Sequence, residues 1–166
     1  QSIQHRCLIF CLSRNTVGSL LGYISFLSNS IVPVMLDSGI DSGFLENLIK
    51  AYRPEYLWLP DHLVAEFPNS SVVFSKYNYA LVKLEQESAS ILHPDLAMLL
   101  STSGSTGSPK FVRISYENLK ANAESISLYL NIQTAVSLYS EAPGENKSVI
   151  TRVLEWFSKL IRRMIQ

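Results

Sequence analysis

LLSTSGSTGSPKFVRIS, Leu99 to Ser115, decides how this chain is read: an apolar strand runs into a loop of Ser, Thr and Gly ending in Pro-Lys, and a second strand follows. Gly104 and Gly107 allow positive φ and let backbone approach a ligand closely. Ser101, Thr102, Ser103, Ser105, Thr106 and Ser108 offer hydroxyl donors, and no carboxylate in the loop repels an anion. Lys110 adds a compact positive charge, with Pro109 fixing φ just before it. A phosphate chain is the guest this chemistry suits. The spacing is not that of a Walker A loop, because Ser108 and Pro109 separate Gly107 from Lys110 and Phe111 follows. The three glycines of a dinucleotide fingerprint are also missing. A flexible Ser/Gly connector between two strands would account for the same composition.

STSGSTGSPK resembles the phosphate-binding loop of the adenylate-forming (AMP-binding) superfamily: acyl-CoA synthetases, adenylation domains of peptide synthetases, and luciferases. Thr102-Ser103-Gly104-Ser105-Thr106-Gly107 and Pro109-Lys110 fall in register with it. ISYENLKANAESI is similar to the segment that follows the family's loop, where a strand gives way to a helix. FLSNSIVPVMLDSGI resembles the preceding helix, loop and strand. Phe111 departs from the pattern, standing where glycine is common. The resemblance implies that Thr102, Ser103, Gly104, Ser105, Thr106, Gly107, Pro109 and Lys110 hold the β- and γ-phosphates of ATP, with Mg2+, while a carboxylate attacks the α-phosphate. The products would be an acyl-adenylate and pyrophosphate, with coenzyme A or a carrier protein as the later thiol acceptor.

The resemblance covers Cys7 to Gln133 and only the front part of the family's large N-terminal domain. Segments that carry the family's magnesium-binding glutamate, adenine and acyl pockets, ribose-binding aspartate and mobile C-terminal domain with its lysine have no counterpart here. The expected chain is therefore a truncated or divergent ligase piece, a partial N-terminal subdomain that is inactive unless another chain completes it, with no catalytic residue assigned. Two other classes remain: a non-enzymatic nucleotide or phosphate sensor, and a structural remnant whose loop binds nothing.

Outward from the loop, the composition is that of a globular protein. A chain of 166 residues can bury about 70% of its unfolded surface in one domain. Acidic and basic residues balance at 14 each, so no global field recruits nucleic acid. Cys7 and Cys11 share one apolar run and cannot form a disulfide framework; a reduced, cytoplasmic compartment is expected. As metal ligands they lack partners, since His5 is near but no second Cys/His pair follows at zinc spacing; buried core thiols are the expectation, and no metal site is assigned. The chain starts at Gln1 without a signal peptide, so a preceding segment is expected to have been removed. The uncharged run between Arg14 and Asp37 is long enough to span a bilayer, but Ser28-Asn29-Ser30 and Pro33 break it into helix, turn and strand.

Strand and helix patterns alternate from Cys7 onward. CLIFCL, Cys7 to Leu12, reads as a strand covered on both faces. Ser13, Asn15 or Thr16 caps a helix over Val17 to Leu27 with Leu20, Leu21, Ile24 and Leu27 on its buried side. Ile31 to Leu36 is a strand whose Pro33 points to an edge or a strand start. Asp41 and Ser42 cap a helix carrying Phe44, Leu45, Leu48, Ile49 and Tyr52, stopped by Pro54. Strands follow at Tyr56 to Leu59, Ser71 to Ser75, Asn78 to Glu85 and Leu96 to Thr102, with a helical turn or two over DHLVAEF. The loop's second strand leads into a helix opened by Ser115 and running to about Leu130, with Leu119, Ala123, Ile126 and Leu130 inward. The expected fold is α/β, a layered parallel sheet with flanking helices. His62 and His93 read as surface histidines, and Glu117 and Glu124 as solvated helix charges.

Domain organisation follows: residues 1–133 form the partial adenylation domain, 134–147 a polar Pro-Gly connector, and 148–166 a helix with one apolar side. Lys147, Arg152, Lys159, Arg162 and Arg163 against Glu155 make that tail basic. It suits a sheet face, a partner chain or an anionic membrane surface.

Overall fold

A computed structural model of the chain describes residues 3, 5–86, 91–101 and 111–129. The chain divides into two compact units, Gln1–Ser115 and Tyr116–Gln166. The first holds a seven-stranded sheet built from β1 (Leu8–Ser13), β2 (Val32–Asp37), β3 (Tyr56–Pro60), β4 (Ser70–Lys76), β5 (Tyr79–Leu84), β6 (Leu96–Ser101) and β7 (Phe111–Ser115), in the order β4-β5-β3-β1-β2-β6-β7. Helices α1 (Val17–Ser28) and α2 (Ser42–Tyr52) connect the first three strands, and a short 3-10 helix, Asp61–Glu66, follows β3. In the second unit, α3 (Tyr116–Tyr129) is the described element. Its Leu119 and Ala123 are half-buried on the side expected to face inward, joined there by buried Ser127, while Ile126 is exposed.

The apolar runs of β1 to β3 are covered on both faces, which is why they show no polar alternation. Leu8, Phe10 and Leu12 pack with Val34, Leu45 and Leu48 on the face that α2 covers. Ile9 and Cys11 pack with Phe26, Trp58 and Leu81 on the face that α1 covers. Thr16 caps α1, its hydroxyl accepting from the Ser19 N–H, and the Asp41 carboxylate caps α2 by accepting from the Phe44 N–H at 2.9 Å. Arg53 closes α2 in the left-handed region at φ 46°, directly before Pro54.

Two expectations are corrected. The sheet is mixed: β1, β2, β3 and β6 are parallel neighbours, while β5 pairs antiparallel with β3 and β4, and β7 antiparallel with β6. One cause is a two-residue turn, Tyr77-Asn78, with φ of 57° and 60°, which reverses β4 into β5. Pro33 meets the second of its two readings: β2 is an interior strand, and Pro33 stands at its start. The Val32 N–H points to the Cys7 carbonyl on the β1 side, so the position of the missing Pro33 N–H faces β6, whose pairing begins only at Val34. The α1 face is correct in part: Ile24 and Leu27 are buried as expected, but Leu20 is 45% exposed. Gly18, Ser19, Gly22 and Phe26 complete the buried side. A Cβ on Gly22 would stand 2.1 Å from Trp58 Nε1, and that indole N–H donates to the Gly18 carbonyl at 3.1 Å. Small residues let the helix approach the sheet this closely.

Candidate functional site

In an open parallel sheet, ligands bind beyond the carboxyl ends of strands, where successive connections leave in opposite directions. Here β1 runs through α1 to β2 on one side, and β2 returns through α2 to β3 on the other. The reversal point is the carboxyl edge of β1 and β3. Tyr79 fixes that edge: its buried phenol donates to the Leu12 carbonyl and accepts from the Arg14 N–H, both at 3.1 Å. After β2, the Asp37 carboxylate accepts from the Gly39 N–H at 2.7 Å and Ser38 N–H donates to the Ser13 carbonyl, shaping the turn into α2.

A cavity of about 780 Å³ opens along this edge, floored by Leu12, Leu45 and Ile49 and walled by Ser38, Leu63 and Phe67. Lys50 and Glu46 pair across one turn of α2 at its rim. The volume lies within the range of small-molecule sites.

The Ser/Thr/Gly loop residues named from the sequence, Thr102, Ser103, Gly104, Ser105, Thr106, Gly107, Pro109 and Lys110, lie outside the described residues, as do the connector and the basic tail. Both anchors of the loop are described. Ser101 and Phe111 are partners in the antiparallel β6–β7 pair. Ser101, at the carboxyl end of β6, donates its hydroxyl to the Met35 carbonyl at 3.3 Å. Phe111, at the position where the resembling family favours glycine, sets its ring edge-on against Tyr52 of α2, 5.2 Å between centroids. Both anchors thus stand at the carboxyl end of β6, with β2 between them and β1.

His62 and His93 are exposed, as expected of surface histidines, and no described helix is long and apolar enough to cross a membrane. Cys7 and Cys11 are buried and free. Burial, with the Glu55 carboxylate adding to it, pushes the Cys7 thiol up to about 12, and burial alone pushes Cys11 up as well. The sequence reading missed Glu55. It precedes β3 as Cys7 precedes β1, and the β1–β3 pairing brings its carboxylate to His5 Nε2 at 2.7 Å. Nothing local in the sequence marks it; only the strand order does. No protein-family model, curated protein or solved structure matches the chain significantly.

Proposed function

We propose that this chain is the phosphate-gripping part of an ATP-dependent, adenylate-forming ligase of the acyl-CoA synthetase type, corresponding to the front part of that family's large N-terminal domain. The observation that carries the reading is the pair of loop anchors, Ser101 and Phe111, standing side by side at the carboxyl edge of the parallel strands. A nine-residue loop with seven hydroxyl or glycine positions, closed by Lys110, offers backbone N–H groups and one cation suited to phosphate oxygens, and its anchors stand where open α/β sheets bind ligands. In the reaction proposed, a carboxylate oxygen attacks the α-phosphorus of magnesium-bound ATP. The α–β phosphoanhydride bond breaks, and pyrophosphate leaves with the negative charge that Lys110 and the loop stabilise.

Positioning the carboxylate for in-line attack needs walls that this sequence does not carry, and stabilising the leaving group is one contribution among several. The chain is expected to bind Mg-ATP and to form no acyl-adenylate alone. Incubation with Mg-ATP, hydroxylamine and a panel of short, long and aromatic carboxylates checks this: absence of hydroxamate is predicted. Hydroxamate formed by the purified chain would overturn the incomplete-ligase reading in favour of a self-sufficient enzyme.

A further inference from the structure

We propose that His5, Cys7 and Glu55 form a binding site for a divalent transition metal of zinc type, at the amino end of the parallel strands, opposite the end that carries Ser101. The ligating atoms of the three residues, His5 Nε2, Cys7 Sγ and a Glu55 carboxylate oxygen, all lie within 4.8 Å of one another. Imidazole nitrogen, thiolate sulfur and carboxylate oxygen are the three ligand types zinc accepts, and three protein ligands with one open position is the arrangement of an accessible zinc site.

The scaffold holds two of the ligands before any metal arrives. The Cys7 carbonyl accepts from Val32 N–H at 2.9 Å; Glu55 N–H donates to the Leu8 carbonyl at 3.2 Å, and its carbonyl accepts from Leu84 N–H. Cys7 and Glu55 therefore sit on the fixed amino ends of paired strands. His5 is two residues before Cys7, and the intervening Arg6 turns away, its guanidinium donating to the carbonyls of Ser30, His93 and Leu96. That alternation puts His5 and Cys7 on one side of the chain. Cys7 closes the site from the core at 1% exposure, while the His5 side chain, 56% exposed, leaves an entry path.

The approach of His5 to Glu55, 2.7 Å, is a hydrogen bond. Tetrahedral coordination at zinc bond lengths needs their ligating atoms about 3.4 Å apart, a change the exposed imidazole can make by rotating. Binding displaces the Cys7 thiol proton to solvent and breaks the His5–Glu55 hydrogen bond, the neutral imidazole carrying its one proton on Nδ1 so that Nε2 can ligate, and the two anionic ligands balance the dication. Cys7 precedes β1 by one residue, and Leu12, at the carboxyl edge, is five residues further on, about 17 Å of strand. The site is therefore independent of the phosphate loop and does not rest on the proposed function.

Titration of Co2+ into the reduced, chelator-treated chain is the test, with Zn2+ as competitor. One equivalent is expected to bind with a thiolate-to-cobalt charge-transfer absorption that Zn2+ abolishes. Cys7→Ser should lose the absorption, Cys11→Ser should keep it, and Glu55→Gln should weaken binding by at least about tenfold. His5→Ala, at an exposed position that leaves the core intact, should weaken it similarly and decides the matter should Cys7→Ser not fold. Cobalt bound without the thiolate band, a band that survives Cys7→Ser, affinity unchanged in His5→Ala, or no binding by the folded chain would each overturn the site.

Discussion

Gly22→Ala is the substitution most sensitive to how α1 lies on the sheet. The added methyl would fall 2.1 Å from Trp58 Nε1, 2.5 Å from Cε2 and 2.6 Å from Cδ1, so indole or helix must shift by more than 1 Å to reach ordinary contact near 3.5 Å. The indole has little room, with Phe26 edge-on at 5.9 Å and Tyr79 at 5.3 Å between centroids. Overpacking of this kind costs about 1–3 kcal/mol. Movement of the ring also strains its N–H bond to the Gly18 carbonyl, and a buried donor left unpaired costs about 1–3 kcal/mol more. Alanine's better helix propensity returns about 1 kcal/mol. The expected net loss is about 3 kcal/mol. Urea unfolding followed by tryptophan fluorescence should show the midpoint falling by about 1.5 M at a slope near 2 kcal/mol/M. Leu20→Ala on the same helix, at a position 45% exposed, should cost less than about 1 kcal/mol. Hydrophobic periodicity alone orders the two substitutions the other way. A Gly22→Ala protein as stable as the wild type, beside a costly Leu20→Ala, would refute the close helix–sheet packing.

Two further outcomes follow from the same contacts. Arg6 ties the amino end of the sheet to the carbonyls of Ser30, His93 and Leu96, so Arg6→Ala should cost about 2 kcal/mol in urea unfolding. Arg6→Lys should recover less than half of that, because an ammonium cannot span three carbonyls as a guanidinium fork does; full rescue by lysine would show that charge alone matters. Alkaline stability reports the buried Cys7 thiol. Its proton is held to about pH 12 in the folded chain, against an ordinary value of 9.0, so between those values the unfolded chain carries fewer protons and stability falls as pH rises. The slope approaches about 1.4 kcal/mol per pH unit for one thiol. Cys7→Ser should reduce the slope over that window by one thiol's share, the raised Cys11 thiol keeping its own; an unchanged slope would mean that the Cys7 thiol ionises freely.

How far the fold was legible depends on where each decisive contact is encoded. The strands and helices of the first sixty residues announce themselves locally, through uninterrupted runs such as LIFCL, the Asp41 cap and the Pro54 stop. The hairpin of β4 and β5 does not, because Tyr77-Asn78 lacks the glycine that usually marks such a turn, and one of the sheet's three antiparallel pairings hangs on it. The face of α1 misleads for a related reason. Gly18 and Gly22 carry no hydrophobic signal, yet they set how near the helix comes and so leave Leu20 outside. Glu55 is the extreme case: its approach to His5 and Cys7 exists only because β3 pairs with β1, a non-local fact. The residues of the candidate phosphate loop are legible as chemistry, through hydroxyls, glycines and Lys110, while Ser101 and Phe111 acquire meaning only through their pairing at the sheet edge.

Calorimetric titration of Mg-ATP into the purified chain and its Lys110→Ala variant tests the central claim most directly. The account predicts binding by the wild type that weakens at least tenfold in the variant, about 1.4 kcal/mol, with unchanged unfolding of the chain. No heat of binding from a folded wild-type chain, or equal affinity in both proteins, would contradict it.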